Sequence, residues 1–494
     1  MNILGISAGF HDAAATVLDS DGNILFASHS ERYSKKKSDA NFCSPLIREL
    51  ETYNPIGTVA YYERPLIKQL RQLYAGQGFD WSKLSTKKLV HDQIGHAKWW
   101  DLQNYKSYNH HLSHAAAGFQ TSEFDRATVV VIDAVGEFET TSIYGAEYVN
   151  GRAVYKKLWQ QHYPHSIGMF YTAMTQRVGL KPLDEEYILM GMAAYGDKNY
   201  ANVMSMSLVD HEYDIKFKQN FHTGVDADFL DILSDYDVAA STQEIAERLI
   251  LNVMTRAKQF KWSNNLVYSG GCALNCAVNA RIGNYFENIW IMPNPGDAGS
   301  SLGAAALAHG GRINWTNAYL GYCIPGPYPV NDILDELLTK QIVGVASGHA
   351  EFGPRALGNR SLLGDPRGIH IKEKVNEIKR RQQFRPFAPV ILEELADTYF
   401  DMPRGWSNSR YMQSVARCRV PDLFPAIVHH DGTSRVQTVP KDGSGIRDLL
   451  ERWFVLTDCP MLLNTSLNIR GEPMVNDRAD ADRFEQLYGV KVCS

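Results

Sequence analysis

Cysteine is scarce in this sequence. The seven residues Cys43, Cys272, Cys276, Cys323, Cys418, Cys459 and Cys493 are scattered over 494 positions, an odd and sparse set that excludes a secreted disulfide framework and predicts reduced thiols. Cys272 and Cys276 lie four apart, but no second pair stands at zinc-ribbon spacing, so they read as small residues near a glycine turn and are assigned no metal. No uninterrupted apolar run is long enough to span a bilayer, so no membrane partner is expected. The opening Met1-Asn2-Ile3-Leu4-Gly5 has no basic segment followed by an apolar one; it reads as a strand, and the expected compartment is the cytoplasm. An excess of one charge is missing as well. A net charge of -5 argues against a surface that coats polyanions and leaves only local phosphate contacts, for which Lys35-Lys36-Lys37 and Lys379-Arg380-Arg381 are the candidates. Low-complexity tracts are absent too, so no sizeable disordered tail is expected.

What is present is a repeated plan. Ile3 to Ser7, Ala14 to Leu18 and, after the Asp21-Gly22 turn, Ile24 to Ser28 read as a three-strand meander. Thr128 to Ile132, Thr140 to Tyr144 and, after Asn150-Gly151, Ala153 to Leu158 read as a second. Such a duplication is the mark of the α/β actin-like (ASKHA) ATPase architecture, whose two halves clasp a nucleotide. Thr242 to Phe260 reads as a helix with Ile245, Leu249 and Val253 on one face. Two glycine turns, Ser269-Gly270-Gly271 and Asn294 to Gly299, each stand where a strand gives way to a helix. The proline-rich stretch Pro325 to Pro329 and a change of composition place a domain boundary near Asp332 to Lys340, giving units of residues 1–331 and 340–494.

Four residues suggest a metal site. His110 and His114 are spaced i and i+4, so a helix would project both imidazoles from one face. Asp133 ends a hydrophobic strand and Asp297 lies in the second glycine turn, positions that face the phosphates in an actin-like cleft. Mixed nitrogen and oxygen donors suit iron(II) or manganese better than a closed zinc site, and such an ion would polarise a bound acyl or phosphoryl group. His11, after Gly9-Phe10, reads either as a general base for an attacking hydroxyl or as a turn-stabilising histidine. The small residues of both glycine turns offer backbone N–H groups to nucleotide phosphates.

Taken together, these segments resemble the NodU/CmcH-type O-carbamoyltransferase family almost end to end. The likeness is carried by Gly9-Phe10-His11-Asp12-Ala13, His110 to Ala117, Leu189-Met190-Gly191-Met192-Ala193, Ser269 to Asn275 and Pro295 to Ser300. In the second half it is carried by Glu351 to Gly358, Phe384 to Pro389, Asp431 to Gln437 and Asn464 to Asn468. Two departures stand out: Ala134 follows Asp133 where glycine is expected, and Ile188 stands where relatives commonly place lysine.

The resemblance implies an actin-like transferase domain followed by a smaller YrdC-like α/β domain. It implies that ATP and carbamoyl phosphate form carbamoyl-adenylate in the second domain, with phosphate and pyrophosphate released, and that an acceptor hydroxyl then takes the carbamoyl group with loss of AMP. His110, His114, Asp133 and Asp297 become metal ligands for iron(II), with manganese or zinc as alternatives, and magnesium accompanies ATP. His11 becomes the base. Ser269, Gly270, Gly271, Asn275, Gly296, Gly299 and Ser300 become nucleotide contacts. Arg355, Lys379, Arg385 and Arg435 form the carbamoyl phosphate clamp, with Asn464 and Ser466 at the carbamoyl end, in keeping with the bidentate grip of guanidinium on phosphate. The acceptor is a sugar, an antibiotic-like small molecule or a hydroxymethylated pyrimidine, as nucleotide or in DNA, so nucleic acid enters only as acceptor. An oligomer is compatible with the sequence. The competing readings are a threonylcarbamoyl-type transferase acting on tRNA and a non-catalytic nucleotide-sensing scaffold.

Overall fold

The computed structural model describes residues 1–95, 104–226 and 229–494. It divides into two compact units, the first comprising residues 1–34, 38–275 and 284–316 and the second residues 35–37, 276–283 and 317–494. The division falls earlier than the boundary read from the sequence. The stretch Asp332 to Lys340, where the sequence placed the boundary, belongs to the helix Val330–Lys340, whose Ile333, Leu334 and Leu337 are buried in the second unit's core.

The first unit contains the same sheet twice. In one, β1 (Asn2–Ser7), β2 (Ala14–Leu18), β3 (Ile24–His29), β4 (Ile56–Tyr61) and β5 (Tyr105–Ser107) run in the order β3-β2-β1-β4-β5. In the other, β6 (Arg126–Ile132), β7 (Glu139–Val149), β8 (Arg152–His162), β9 (Asn265–Ser269) and β10 (Asn288–Trp290) run in the order β8-β7-β6-β9-β10. Each has an antiparallel meander on one side of its first strand and two parallel strands on the other. The central strands β1 and β6 are apolar runs with little alternation, as expected of strands covered on both faces. Matching order and sense in both halves make this an actin-like, duplicated α/β unit.

Two helices carry the site into this frame: α1 (His110–Phe119) and α3 (Ser300–His309), with the long α2 (Asp235–Gln259) between them in sequence. α1 and α3 cross at Gly303, where a Cβ would lie 1.8 Å from Ser113 O, so only glycine lets the two backbones approach this closely.

The second unit is built on a mixed sheet of β11 (Ile342–Ala346), β12 (Arg360–Gly364), β13 (Ala388–Leu392), β14 (Gln437–Val439), β15 (Met461–Ser466) and β16 (Val492–Cys493), in the order β14-β13-β15-β12-β11-β16. Helix α4 (Val330–Lys340), α5 (Ile369–Ile378) and α6 (Gly445–Thr457) contribute to its core, which holds Val345, Leu362, Val390, Leu463 and Trp453. Among the described residues, no helix is long and apolar enough to cross a membrane.

Candidate active sites

Asn109 caps α1, its side-chain oxygen accepting from Leu112 N at 3.0 Å, and the run Ala115 to Ala117 favours the helix that follows. This start puts His110 and His114 one turn apart and buried. His114 Nδ1 lies 3.1 Å from Pro295 O; a carbonyl only accepts, so Nδ1 carries the hydrogen and the Nε2 lone pair turns inward. Asp133, at the end of β6, has Oδ1 occupied by Gly271 N at 3.1 Å, which turns Oδ2 towards the histidines. Asp297 opens the single turn before α3.

The four side chains converge. His110 Nε2 is 3.3 Å from both Asp133 Oδ2 and Asp297 Oδ1, and His114 Nε2 is 3.2 Å from Asp297 Oδ1. One ligand atom from each of the four residues lies within 4.8 Å of all the others. Adjacent ligands around an octahedral ion bonded at about 2.1 Å are about 3 Å apart, so the set fits a divalent cation in size and donor type. The electrostatics agree. Burial alone would neutralise these groups, yet the Asp297 carboxylate raises the His110 pKa well above its ordinary value, and the histidines hold Asp133 at about 2. A divalent cation would supply the compensation that otherwise requires a proton on His110.

Glu63, unmarked in the sequence, lies behind His110: its Oε2 is 3.7 Å from Nδ1, and Lys68 pairs with its carboxylate. His111 faces Ser142 Oγ at 2.8 Å, and burial and the neighbouring His110 depress its pKa to about 3, so it is a neutral core histidine.

His11 lies at the edge of the cluster, with Nδ1 3.1 Å from Asp12 Oδ2 and Nε2 3.7 Å from Asp297 Oδ2. Burial by itself would lower its pKa, but Asp12, Asp297 and Asp133 outweigh burial and raise it to about 9. In this form His11 carries a proton. A cation among the carboxylates would weaken that field and favour the neutral imidazole that a base requires.

At the glycine turns expected to contact a nucleotide, several groups already have partners within the protein. Gly270 N donates to Pro295 O at 2.9 Å and Gly271 N to Asp133 Oδ1. Ser300 Oγ lies 3.1 Å from His114 Nδ1, Ser269 is buried against α1, and Asn275 exchanges hydrogen bonds with the Gln243 amide. Gly299 is required for packing, since a Cβ there would meet Asn294 O at 1.7 Å; only Gly296 stands against open space. The departures from the family pattern are also accommodated. Ala134 is not among the residues of positive φ, so its backbone does not need glycine, and Ile188 is buried in the short helix Glu186–Met192.

In the second unit, Lys379 Nζ donates to Ser466 O at 2.5 Å, Ser466 Oγ at 3.2 Å and Asn468 Oδ1 at 2.6 Å. No carboxylate among the described residues pairs with it. Burial and the charges of Arg381, Arg385 and Lys37 drive its pKa well below the ordinary value. The basic runs at 35–37 and 379–381 therefore act on one another within one unit. Arg435 is in the same field, its pKa lowered by burial and by Arg385, and its Nε is buried without a partner among the described residues. Asn464 donates to Ala356 O, next to Arg355. The loop that carries Arg355 is tied down by Glu351 Oε1, which accepts from Leu357 N, Asn359 N and Arg360 N. The sequence assigned no role to Glu351, Arg360, Gln437 or Asn468, although all four except Arg360 lie in stretches already singled out.

A duplicated actin-like unit with a buried histidine–aspartate cluster, followed by a unit in which Lys379 and Arg435 have no carboxylate partner among the described residues, suits a group-transfer enzyme. Residues 56–306 match the family described as Carbamoyltransferase N-terminus and residues 334–492 that described as Carbamoyltransferase C-terminus; the chain belongs to the carbamoyltransferase family and is a transferase. It is similar to uncharacterized protein sll1178 of Synechocystis sp., at 34% identity over 98% of this chain and 94% of that protein. It is also similar to nodulation protein NolO of Bradyrhizobium diazoefficiens, at 31% identity over 76% of this chain and 75% of that protein. Nodulation protein U of Rhizobium tropici is 29% identical over 78% of this chain and 74% of its own length. Full-length HypF in its phosphate- and nucleotide-bound form overlaps 62% of this chain and 55% of its own at 13% identity, with a TM-score of 0.36, too loose to carry an argument. The fold assignment rests on the strand order.

Proposed function

We propose that the protein is an ATP-dependent O-carbamoyltransferase that works in two stages. The second unit, residues 317–494 with 35–37 and 276–283, acts as the YrdC-like activating domain. The observation that carries this reading is the cation cluster of Lys379, Arg385 and Arg435, buried or half-buried and, among the described residues, without a carboxylate partner for Lys379 or Arg435. Like charges packed this way call for a polyanion. Carbamoyl phosphate would be held there by Arg355, Lys379, Arg385 and Arg435, with Asn464 and Ser466 at its carbamoyl end. Release of both phosphate and pyrophosphate consumes one water: carbamoyl phosphate is cleaved to carbamate and phosphate, and a carbamate oxygen attacks the α-phosphorus of ATP, displacing pyrophosphate.

In the first unit, His110, His114, Asp133 and Asp297 would hold a divalent cation, iron(II) by donor type, which supplies Lewis-acid polarisation when bound. Neutral His11 would take the proton of the acceptor hydroxyl as its oxygen attacks the carbamoyl carbon. The bond to AMP breaks, and AMP leaves with the electron pair. Gly296, which stands against open space, would lie beside the nucleotide. The acceptor is a hydroxyl of a sugar, an antibiotic-like small molecule or a hydroxymethylated pyrimidine. Pyrophosphate release that requires both ATP and carbamoyl phosphate, without any acceptor, tests the first stage; its absence would refute the proposal.

A further inference from the structure

Deep in the second unit, two side-chain amides are locked by backbone carbonyls. Asn464, on β15, is 1% exposed, and Gln437, at the start of β14, is 2% exposed. Asn464 Nδ2 donates to Ala356 O at 3.0 Å and to Gln437 Oε1 at 2.7 Å. Gln437 Nε2 donates to Leu357 O at 2.9 Å. A carbonyl only accepts, so neither amide can be turned over without setting oxygen against oxygen. The carbonyls are themselves fixed: Tyr319 Oη donates to Leu357 O at 3.0 Å, and Leu357 N is held by Glu351 at 2.7 Å.

Both hydrogens of the Asn464 amide are thereby used inside the protein. Its Oδ1 is buried and accepts no hydrogen bond from the described residues. An unmet buried acceptor demands a donor, and leaving it unmet is expensive. Asn464 and Ser466 share a face of β15, and Ser466 contacts Lys379, so the oxygen belongs to the neighbourhood of the cation cluster.

We propose that Gln437 is a specificity-determining positioning residue: by holding Asn464 with its oxygen turned to the ligand, it makes the second unit select an acyl phosphate whose acyl group ends in N–H. This rests on the reading that the second unit binds carbamoyl phosphate. The amino group of carbamoyl phosphate meets the Asn464 oxygen. The methyl of acetyl phosphate, equal in shape, leaves it unmet, and the carboxylate of carboxyphosphate repels it.

The test is competition in ATP-dependent pyrophosphate release by the full chain, with acetyl phosphate and inorganic phosphate as inhibitors. In the wild type, acetyl phosphate should bind at least about a hundredfold more weakly than carbamoyl phosphate. In Gln437→Met the KM for carbamoyl phosphate should rise about tenfold, while the inhibition constants of acetyl phosphate and inorganic phosphate stay within about twofold. A merely structural role would move all three together, and that result, or no movement at all, overturns the proposal. Thermal unfolding shows whether Gln437→Met folds; if it does not, the wild-type comparison decides. Acetyl phosphate binding within about tenfold of carbamoyl phosphate refutes the inference alone. Failure of the wild type to bind or consume carbamoyl phosphate, measured by calorimetry and by phosphate release, refutes the underlying reading as well.

Discussion

The Nε2 atoms of His110 and His114 lie 3.1 Å apart on one face of α1, with Asp297 Oδ1 within 3.3 Å of both. Such a pair is comfortable only around a shared positive charge. His110→Ala is expected to abolish stoichiometric metal binding and slow carbamoyl transfer more than about a hundredfold, leaving carbamoyl-adenylate formation largely intact. Metal analysis, together with separate assays of the two stages, checks both halves of this expectation.

Arg385→Ala should do the reverse. Its charge bears on both Lys379 and Arg435, and losing one charge-assisted contact to phosphate, worth about 2 kcal/mol, raises the KM for carbamoyl phosphate about thirtyfold. Metal content should not change. If His110→Ala and Arg385→Ala arrest the same stage, the division of labour between the units is wrong.

His11→Gln should retain the metal and form the adenylate but lose transfer by about a hundredfold to ten-thousandfold, the worth of a general base. Accumulation of carbamoyl-adenylate, seen by rapid quench and mass spectrometry, is the expected signature. Unchanged transfer would leave His11 as a turn-stabilising residue paired with Asp12.

Arg360 is fully buried and donates to the carbonyls of Ser347, Gly348, Asn359, Tyr322 and Asn476. Arg360→Met leaves these acceptors without their donor and should destabilise the second unit by at least about 3 kcal/mol. Denaturant unfolding followed by tryptophan fluorescence, with Trp453 in that core, measures it.

Glu394 pairs with Arg447 and is held at about 2, below its ordinary 4.5. A depressed carboxylate stabilises the fold above the unfolded value and loses that contribution as pH falls from about 4.5 through 2. Glu394→Gln should therefore lower the stability of the second unit at neutral pH and flatten the acid side of its profile, read as midpoint against pH, so that variant and wild type converge towards pH 2.

Much of this was legible along the chain. Both meanders could be read because their strands are apolar runs bounded by turn residues, and the histidine pair because helical spacing aligns i and i+4. What stayed hidden depends on contacts between distant residues. The amides of Gly270 and Gly271 look unpartnered until β6 brings Asp133 beside Gly271 and the second turn brings Pro295 beside Gly270. Glu63 has no local mark that ties it to His110, 47 positions away in sequence. Lys35 to Lys37 belong to the second unit although they lie in the first tenth of the chain, a placement no local pattern encodes. Gln437 was visible in a family-like stretch, but its role required knowing which carbonyl its amide faces.

The central claim is tested most directly by incubating the metal-loaded protein with ATP, isotope-labelled carbamoyl phosphate and a panel of hydroxyl-bearing acceptors. The account predicts label in a carbamate ester of one acceptor, with one AMP formed for each ester. Unconsumed carbamoyl phosphate in the presence of ATP and metal would contradict it.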